Sequence, residues 1–166
     1  MMKTNNLGLY IHIPFCLKKC HYCDFYSEAG TDSALRAKYV DFLCSEITWY
    51  GGELGLASKD GGRLVDTVFI GGGTPSILDA EQTVRIVSTI FDSFRVAEDA
   101  EISMGCNPAT LTAEKLAAYR KAGINRLSMG VQSMEPSVLS IMGRAHGPED
   151  VISNFHLARG AGFDNI

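Results

Sequence analysis

The chain has 166 residues, which is the size of one domain, and 46% of them are hydrophobic, enough to build a packed core. The net charge of −4 gives no indication of a nucleic-acid partner, and no apolar run is long enough to span a bilayer. The first residues lack the apolar stretch of a signal peptide, so we expect a cytoplasmic protein whose five cysteines bind metal or stay free.

Short apolar runs alternate with longer segments of helical period along the chain. The predicted strands are Leu7–Ile13, Val65–Ile70, Glu101–Met104 and Arg126–Val131, and Phe163–Ile166 begins a fifth. The predicted helices begin at Asp32 or Ser33, Asp79, Thr112, Pro136 and Pro148, and they end near Gly51, Phe94, Gly123, Met142 and Gly162. This alternation predicts an α/β fold with a parallel sheet and right-handed crossovers.

Apolar positions three and four residues apart mark the helix faces that we expect to be buried. They are Val40, Leu43, Ile47 and Tyr50 in the first helix, and Val84, Val87, Ile90, Phe91 and Phe94 in the second. Asp79 with Gln82 resembles a capping box at the start of the second helix. Between these helices, Ser58–Arg63 is predicted to be a polar loop.

The least regular stretches of the sequence all follow predicted strands. A cysteine-rich segment follows the first strand, Gly71–Pro75 the second, Cys106-Asn107-Pro108 the third, and Gln132 the fourth. In parallel α/β sheets, ligands bind at the carboxyl ends of the strands. We therefore expect these four stretches to form one site.

Cys16, Cys20 and Cys23 have C-x3-C-x2-C spacing and can bind one metal centre from a single loop. A structural zinc site needs four ligands, usually from paired knuckles, and the sequence has no second knuckle. The spacing favours a [4Fe-4S] cluster, in which three thiolates leave one iron open to a ligand. The alternatives are a disulfide with a spare thiol and a zinc site completed by His12 or His21. Cys44 and Cys106 stand apart and are predicted to be small buried thiols.

The glycine-rich segment Gly71–Pro75 has two interpretations. It is either a tight turn or a ledge of backbone groups which, with the Thr74 hydroxyl, holds a small polar ligand. It is not a P-loop, because no Gly-Lys-Ser/Thr follows. Its place behind the cysteine loop favours the ledge.

Two polar residues near the fourth strand are further candidate ligand contacts. Gln132 is suited to recognise a hydroxyl, and Arg144 offers a fork for a carboxylate. The alternatives are a solvated strand end for Gln132 and a solvated loop charge for Arg144. His12 and His146 are weaker candidates for direct chemistry.

The motifs YIHIPFC-x3-C-x2-C, GGGTP, NP, GVQS and GR-x-H occur in this order from about Leu7 to Ile166. Together they resemble the oxygen-independent coproporphyrinogen III oxidase-like branch of the radical SAM superfamily. The resemblance implies a partial (β/α) barrel that binds one [4Fe-4S] cluster with S-adenosylmethionine on its open iron. It also implies an electron donor such as flavodoxin or ferredoxin, and cleavage of the sulfonium to a 5′-deoxyadenosyl radical.

The resemblance assigns roles to the residues that match the family's motifs. It implies that Cys16, Cys20 and Cys23 are the cluster ligands. The implied contacts to S-adenosylmethionine are Tyr10, Tyr22, Gly72, Gly73, Thr74, Gln132 and Arg144. Residues that catalyse a later step remain unknown.

Two branches of the family differ just after the third cysteine. The oxidase proper has a further cysteine two residues on, where this chain has Phe25. The chain therefore resembles the members described as heme chaperones, which bind heme and pass it to hemoproteins. The alternatives are a porphyrinogen oxidative decarboxylase and, from another class, an iron–sulfur or zinc module without radical chemistry.

The chain departs from the family pattern at two places. The family has a glutamate before its Asn-Pro turn, and Gly105 takes that place here. The family also continues beyond the position of Ile166 with further strands and a carboxyl-terminal domain. We therefore expect residues 1–166 to be the amino-terminal part of a radical SAM core domain, truncated after four to five strands.

Overall fold

The computed structural model describes residues 6–53 and 63–166. The polar loop predicted over Ser58–Arg63 lies outside the described residues, apart from Arg63 itself. In chain order the strands are β1 Leu7–Ile13, β2 Phe15–Cys16, β3 Glu28–Ala29, β4 Val65–Gly72, β5 Val96–Cys106 and β6 Arg126–Met129. The α-helices are α1 Ser33–Glu53, α2 Ala80–Ser93, α3 Ala113–Ala122, α4 Pro136–Ile141 and α5 Pro148–Gly160.

A four-stranded sheet of order β1-β4-β5-β6 forms the centre of the fold, and every neighbouring pair in it is parallel. The short strands β2 and β3 form a separate parallel pair that flanks the cysteine loop. The prediction of an α/β fold with a parallel sheet is confirmed. All four long strands point their carboxyl ends to the same edge, which is where the irregular loops meet.

The predicted strand positions are confirmed, but their ends differ. β4 and β5 are longer than predicted, and β6 ends at Met129 rather than Val131. The predicted fifth strand is present only as an isolated parallel bridge between Arg126 and Asn165, supported by a bond from Leu127 N to Asn165 O of 3.0 Å.

One face of the sheet packs against the helices. The side chains on that face alternate along each strand with those of the other face, and they are buried: Ile11, Ile13, Val68, Ile70, Ile102, Met104 and Leu127. Hydrophobic residues of α1, α2 and α3 complete this core. The opposite face carries the register-matched row Tyr10, Phe69, Ser103 and Arg126. In the described part of the chain, the helices therefore pack against one side of the sheet, as on the outside of a barrel wall.

The buried face of α2 is rotated from the one predicted. Val87, Ile90 and Phe94 are buried as expected, but Val84 is half-buried and Phe91 is 45% exposed. Thr83 and Ile86 complete the buried stripe instead. In α1, Tyr50 is likewise exposed although Val40, Leu43 and Ile47 are buried. The period was correct, but aromatic rings at the margin of a stripe were wrongly counted as core.

The predicted helix starts have the expected caps. Asp32 Oδ1 accepts from Leu35 N at 2.7 Å, and Thr112 Oγ1 accepts from Lys115 N at 3.2 Å. Gln82 Oε1 accepts from Asp79 N at 3.0 Å, which confirms the capping box. Gly123 ends α3 with a φ of 106°.

Gly51 and Gly52 do not end α1, which continues to Glu53. Gly51 is buried, and a β-carbon built on it would overlap the backbone carbonyl oxygen of Ser93 at the end of α2. Gly52 is exposed and has no heavy atom near the position of a β-carbon. The glycine at position 51 therefore serves close helix packing rather than chain termination.

We expect Gly51→Ala to lower the free energy of unfolding by about 1–3 kcal/mol, because the added methyl forces α1 and α2 apart. Gly52→Ala is the matched control, and it should raise that free energy by about 0.5–1 kcal/mol because alanine favours the helix. Urea unfolding of the two variants tests both signs. Equal effects at the two positions would contradict the packing role of Gly51.

Within the described ranges, no helix is both long enough and apolar enough to cross a membrane.

Candidate metal and cofactor site

A pocket of about 410 Å³ lies at the carboxyl ends of the four long strands. Every residue that the sequence suggested for the cluster or the cofactor lines it: Tyr10, Cys16, Cys20, Tyr22, Cys23, Gly72, Gly73, Thr74, Gln132 and Arg144. His12 and His146 do not line this pocket. The topology thus brings four distant stretches of sequence to one place, while the role of each residue stays a prediction.

The cysteine loop is anchored at its first thiol. Cys16 is buried at the end of β2, whereas Cys20 and Cys23 are half-buried further along the loop. The Thr74 hydroxyl lies 3.5 Å from Cys16 Sγ and donates to it. Cys23 N donates to Cys20 O at 3.1 Å, which turns the loop between these two cysteines. All three thiols reach the pocket.

The glycine-rich segment packs directly against the start of the cysteine loop. Gly73 N donates to Ile13 O at 2.8 Å, and Thr74 N donates to Phe15 O at 2.7 Å. A β-carbon on Gly73 would lie 2.7 Å from Phe15 O and 2.9 Å from Cys16 Sγ, so only glycine fits there. The segment therefore lies directly beside the first thiol, and its predicted role as a ledge for a ligand stays a prediction.

The two histidines that could complete a zinc site each contact a backbone carbonyl oxygen. His12 Nε2 lies 3.1 Å from Tyr26 O, and its Nδ1 lies 3.2 Å from Tyr10 Oη. His21 Nδ1 lies 2.8 Å from Ile141 O. Among the described residues, no group of three or more His, Cys, Asp or Glu side chains is arranged to hold a single metal ion. Three thiols around one pocket instead fit a cluster, which spreads its ligands over several iron atoms.

Arg144 directs its guanidinium into the pocket. Its Nη1 lies 3.3 Å from both Cys20 Sγ and Tyr22 Oη, and its Nη2 donates to Gly130 O at 2.6 Å. Its Nε is buried, and within residues 6–53 and 63–166 it has no hydrogen-bond partner. Burial raises the pKa of Tyr22, although Arg144 acts in the opposite direction. The guanidinium therefore lines the pocket with donor groups, and its binding of a ligand carboxylate stays a prediction.

Gln132 has a backbone conformation that the sequence did not predict. Its φ is 68°, and it is the one non-glycine residue with positive φ in the part of the chain that the structure describes. Glutamine rarely adopts this conformation, and such strain concentrates at functional sites. Nothing in the residue types around Gln132 signals it, because the usual indicator of positive φ is glycine or asparagine.

The sequence also did not predict a network of hydrogen bonds between the loops that follow β4 and β5. Lys115 Nζ donates to Ser76 O at 2.9 Å and to Thr110 O at 3.3 Å, and burial lowers the pKa of Lys115. Asn107 N donates to Ser76 Oγ at 3.1 Å, and Thr110 Oγ1 donates to Asn107 O at 2.9 Å. These bonds join the loop after β4 to the loop after β5. A lysine on an amphipathic helix ordinarily points to solvent, so sequence alone gave no reason to select Lys115.

The other two cysteines are buried, as predicted. Cys44 is 6% and Cys106 is 7% exposed. Burial raises the pKa of the Cys106 thiol to about 12, so this thiol is protonated at neutral pH.

A family model for the radical SAM superfamily matches residues 10–166. The chain belongs to the radical SAM superfamily. This membership implies a [4Fe-4S] cluster and S-adenosylmethionine, and the thiols, ledge and arginine of the pocket fit those two groups. The partial barrel expected of a radical SAM domain agrees with the one-sided sheet.

Two relatives with this radical SAM domain are heme chaperones HemW. The protein from Escherichia coli is 40% identical over 162 residues, which are 98% of this chain and 41% of that protein. The protein from Bacillus subtilis is 40% identical over 158 residues, which are 95% of this chain and 40% of that protein. The chain therefore spans about two fifths of the length of these relatives.

Solved structures agree with the fold. Coproporphyrinogen III oxidase (HemN) from Escherichia coli, a radical SAM enzyme, superposes with a TM-score of 0.83 and 33% identity, covering 96% of this chain and 35% of that chain. Methylornithine synthase (PylB) has a TM-score of 0.59 at 14% identity, which supports the fold alone.

Proposed function

We propose that this chain is the cluster- and cofactor-binding part of a radical SAM protein of heme metabolism, of the heme chaperone type. The observation that carries the proposal is the pocket at the strand ends, where three thiols, a glycine ledge, Gln132 and Arg144 come together. The similarity to HemW over nearly the whole chain supports the heme assignment. Residues 1–166 would then be the amino-terminal part of the radical SAM core domain.

Each group in the pocket has a role in this proposal. Cys16, Cys20 and Cys23 hold the cluster, and the Arg144 guanidinium binds the carboxylate of S-adenosylmethionine. The remaining contacts to the cofactor come from the predicted set Tyr10, Tyr22, Gly72, Gly73, Thr74 and Gln132. When both groups are bound, they supply one-electron cleavage of the sulfonium to a 5′-deoxyadenosyl radical. The protein binds and orients the cofactor and limits the access of water.

Phe25 favours the chaperone over the oxidase. It lines the pocket at the position where the oxidase branch has its further cysteine, and it is 66% exposed. An aromatic ring there offers apolar contact but no thiolate. The similarity to HemN keeps porphyrinogen oxidative decarboxylation as the second candidate.

The partners follow from the same proposal. Heme is the proposed ligand and a hemoprotein its acceptor, and a flavodoxin or ferredoxin supplies the electron. None of the five cysteines, which all lie in the described ranges, forms a disulfide, and this suits the reducing cytoplasm as the proposed location.

Heme titration and porphyrinogen turnover separate the two candidates. We expect the cluster-loaded protein to bind heme with a Soret shift that saturates, and to leave coproporphyrinogen III unchanged with S-adenosylmethionine and reductant. Decarboxylation without saturable heme binding would favour the oxidase. A third reading, a metal-binding module without radical chemistry, would be supported if the reduced protein released no 5′-deoxyadenosine.

A further inference from the structure

The backbone at Gln132 forms a one-residue turn. Ser133 N donates to Val131 O at 2.9 Å, and Gln132 between them has a φ of 68°. A hydrogen bond between residues i and i+2 with a positive φ at the central residue defines the γ-turn, as distinct from the common inverse γ-turn. The γ-turn is rare and strained. Because Gln132 lines the pocket, this turn decides where its amide lies. A strained turn persists only where its surroundings hold it.

His146 supplies that restraint. Its ring is only 5% exposed, and its Nε2 lies 3.0 Å from Val131 O. The carbonyl of Val131 therefore accepts two hydrogen bonds, one from Ser133 N and one from His146. Two bonds to one carbonyl oxygen fix the plane of the Val131–Gln132 peptide, and that plane sets the φ of Gln132.

The second nitrogen of the same ring faces Arg144. Val131 O can only accept, so the bond to it puts a proton on Nε2 and leaves Nδ1 as an acceptor. Arg144 Nη2 lies 3.5 Å from Nδ1 and can donate to it, while it also donates to Gly130 O. One neutral imidazole thus contacts the carbonyl before Gln132 and the guanidinium of Arg144.

The third neighbour of the ring is Asn107, whose Oδ1 lies 3.1 Å from Nδ1. This oxygen already accepts from Ala109 N, so it presents no proton to the ring. An imidazolium would donate to both oxygens but would place a second cation beside Arg144. Burial lowers the pKa of His146, with Arg144 acting in the same direction and the Val131 carbonyl in the opposite one. Each form of the ring satisfies two of these three contacts, and the neutral form with its proton on Nε2 avoids a second cation beside Arg144.

We propose that His146 is a positioning residue that holds the Gln132 turn and the Arg144 guanidinium in place, and so sets the affinity for S-adenosylmethionine without contacting it. The inference rests on the proposed function, in which Gln132 and Arg144 contact this cofactor. His146 does not line the pocket, so in this proposal it acts on the cofactor through Gln132 and Arg144.

The test compares two substitutions of His146 with one of His156, an exposed histidine on α5. We expect His146→Ala to weaken S-adenosylmethionine binding to the cluster-loaded protein about tenfold, the usual effect of losing a residue that orients a ligand-binding group. His146→Gln should recover much of the affinity, since its amide nitrogen can donate to Val131 O. His156→Gln should leave the affinity unchanged. Equilibrium dialysis gives the dissociation constants, and iron and sulfide analysis gives the cluster content.

A second readout needs no cofactor. In the apo protein, the amide of Ser133 should exchange its hydrogen faster in His146→Ala than in wild type, and His146→Gln should slow this exchange again. If wild type binds no S-adenosylmethionine, the proposed function fails, and the exchange rate alone decides whether His146 holds the turn. If wild type binds it, an unchanged dissociation constant in His146→Ala overturns the proposal. Equal losses of cluster and thermal stability in both His146 variants would also overturn it, because His146 would then be structural.

Discussion

Replacing Cys16, Cys20 or Cys23 by alanine is expected to prevent stable assembly of the [4Fe-4S] cluster. Each thiol reaches the same pocket, and three thiolates would bind three irons of the cluster, one each, and leave the fourth iron open. Loss of one thiolate therefore leaves two ligands, which is too few to retain the cluster.

Anaerobic reconstitution with iron and sulfide, followed by iron analysis and absorption spectroscopy, measures this effect. Cys44→Ala is the matched control, because Cys44 is also buried but lies on α1, away from the pocket. The control should assemble a full cluster. Stoichiometric zinc without iron–sulfur absorption in the wild-type protein would refute the assignment of the three thiols.

Gly105→Glu is expected to tighten binding of S-adenosylmethionine by about ten- to hundredfold. Gly105 lies on β5 within the pocket lining, at the place where the family has a glutamate. A β-carbon there would come no closer than 3.6 Å to Ile70 O, so the site has room for a side chain. A charged hydrogen-bond acceptor contributes about 1.5–3 kcal/mol, which corresponds to that change in affinity.

Two controls separate charge from space at position 105. Gly105→Gln offers a neutral acceptor of the same length and should give a smaller gain, while Gly105→Ala should give none. The dissociation constants of the cluster-loaded variants measure the effect, and the yield of 5′-deoxyadenosine follows it. If Gly105→Glu folds and loads its cluster but binds the cofactor no better, the missing carboxylate does not limit affinity in this chain.

The positions of the strands along the chain, their parallel arrangement and the place of the site could be predicted from the sequence. Parallel strands with one buried face give short apolar runs, and their carboxyl ends meet at one edge whatever the details of the loops. The four irregular stretches that follow the predicted strands were therefore sufficient to locate the pocket. The resemblance added candidate roles for its residues, which geometry alone does not assign.

The features that could not be predicted depend on contacts between distant segments. Gly51 looked like a helix end because glycine usually is one, and only the approach of Ser93 explains it. Gln132 has an unusual backbone because His146 holds the carbonyl before it from 15 residues away. Lys115 is drawn inward by the carbonyl groups of two loops. The type of each residue does not indicate which distant segment the fold will bring next to it.

The different burial of the three thiols has a consequence for cluster assembly. Cys16 is held in β2 by contacts of the protein itself, next to Gly73 and the Thr74 hydroxyl. Binding the cluster must still restrict the rotamers and loop backbone of Cys20 and Cys23, but little conformational entropy remains to be lost at Cys16. The fold thus preorganises one of the three proposed ligands through its own contacts, so we expect assembly to begin at Cys16 and the rest of the loop to close around the iron.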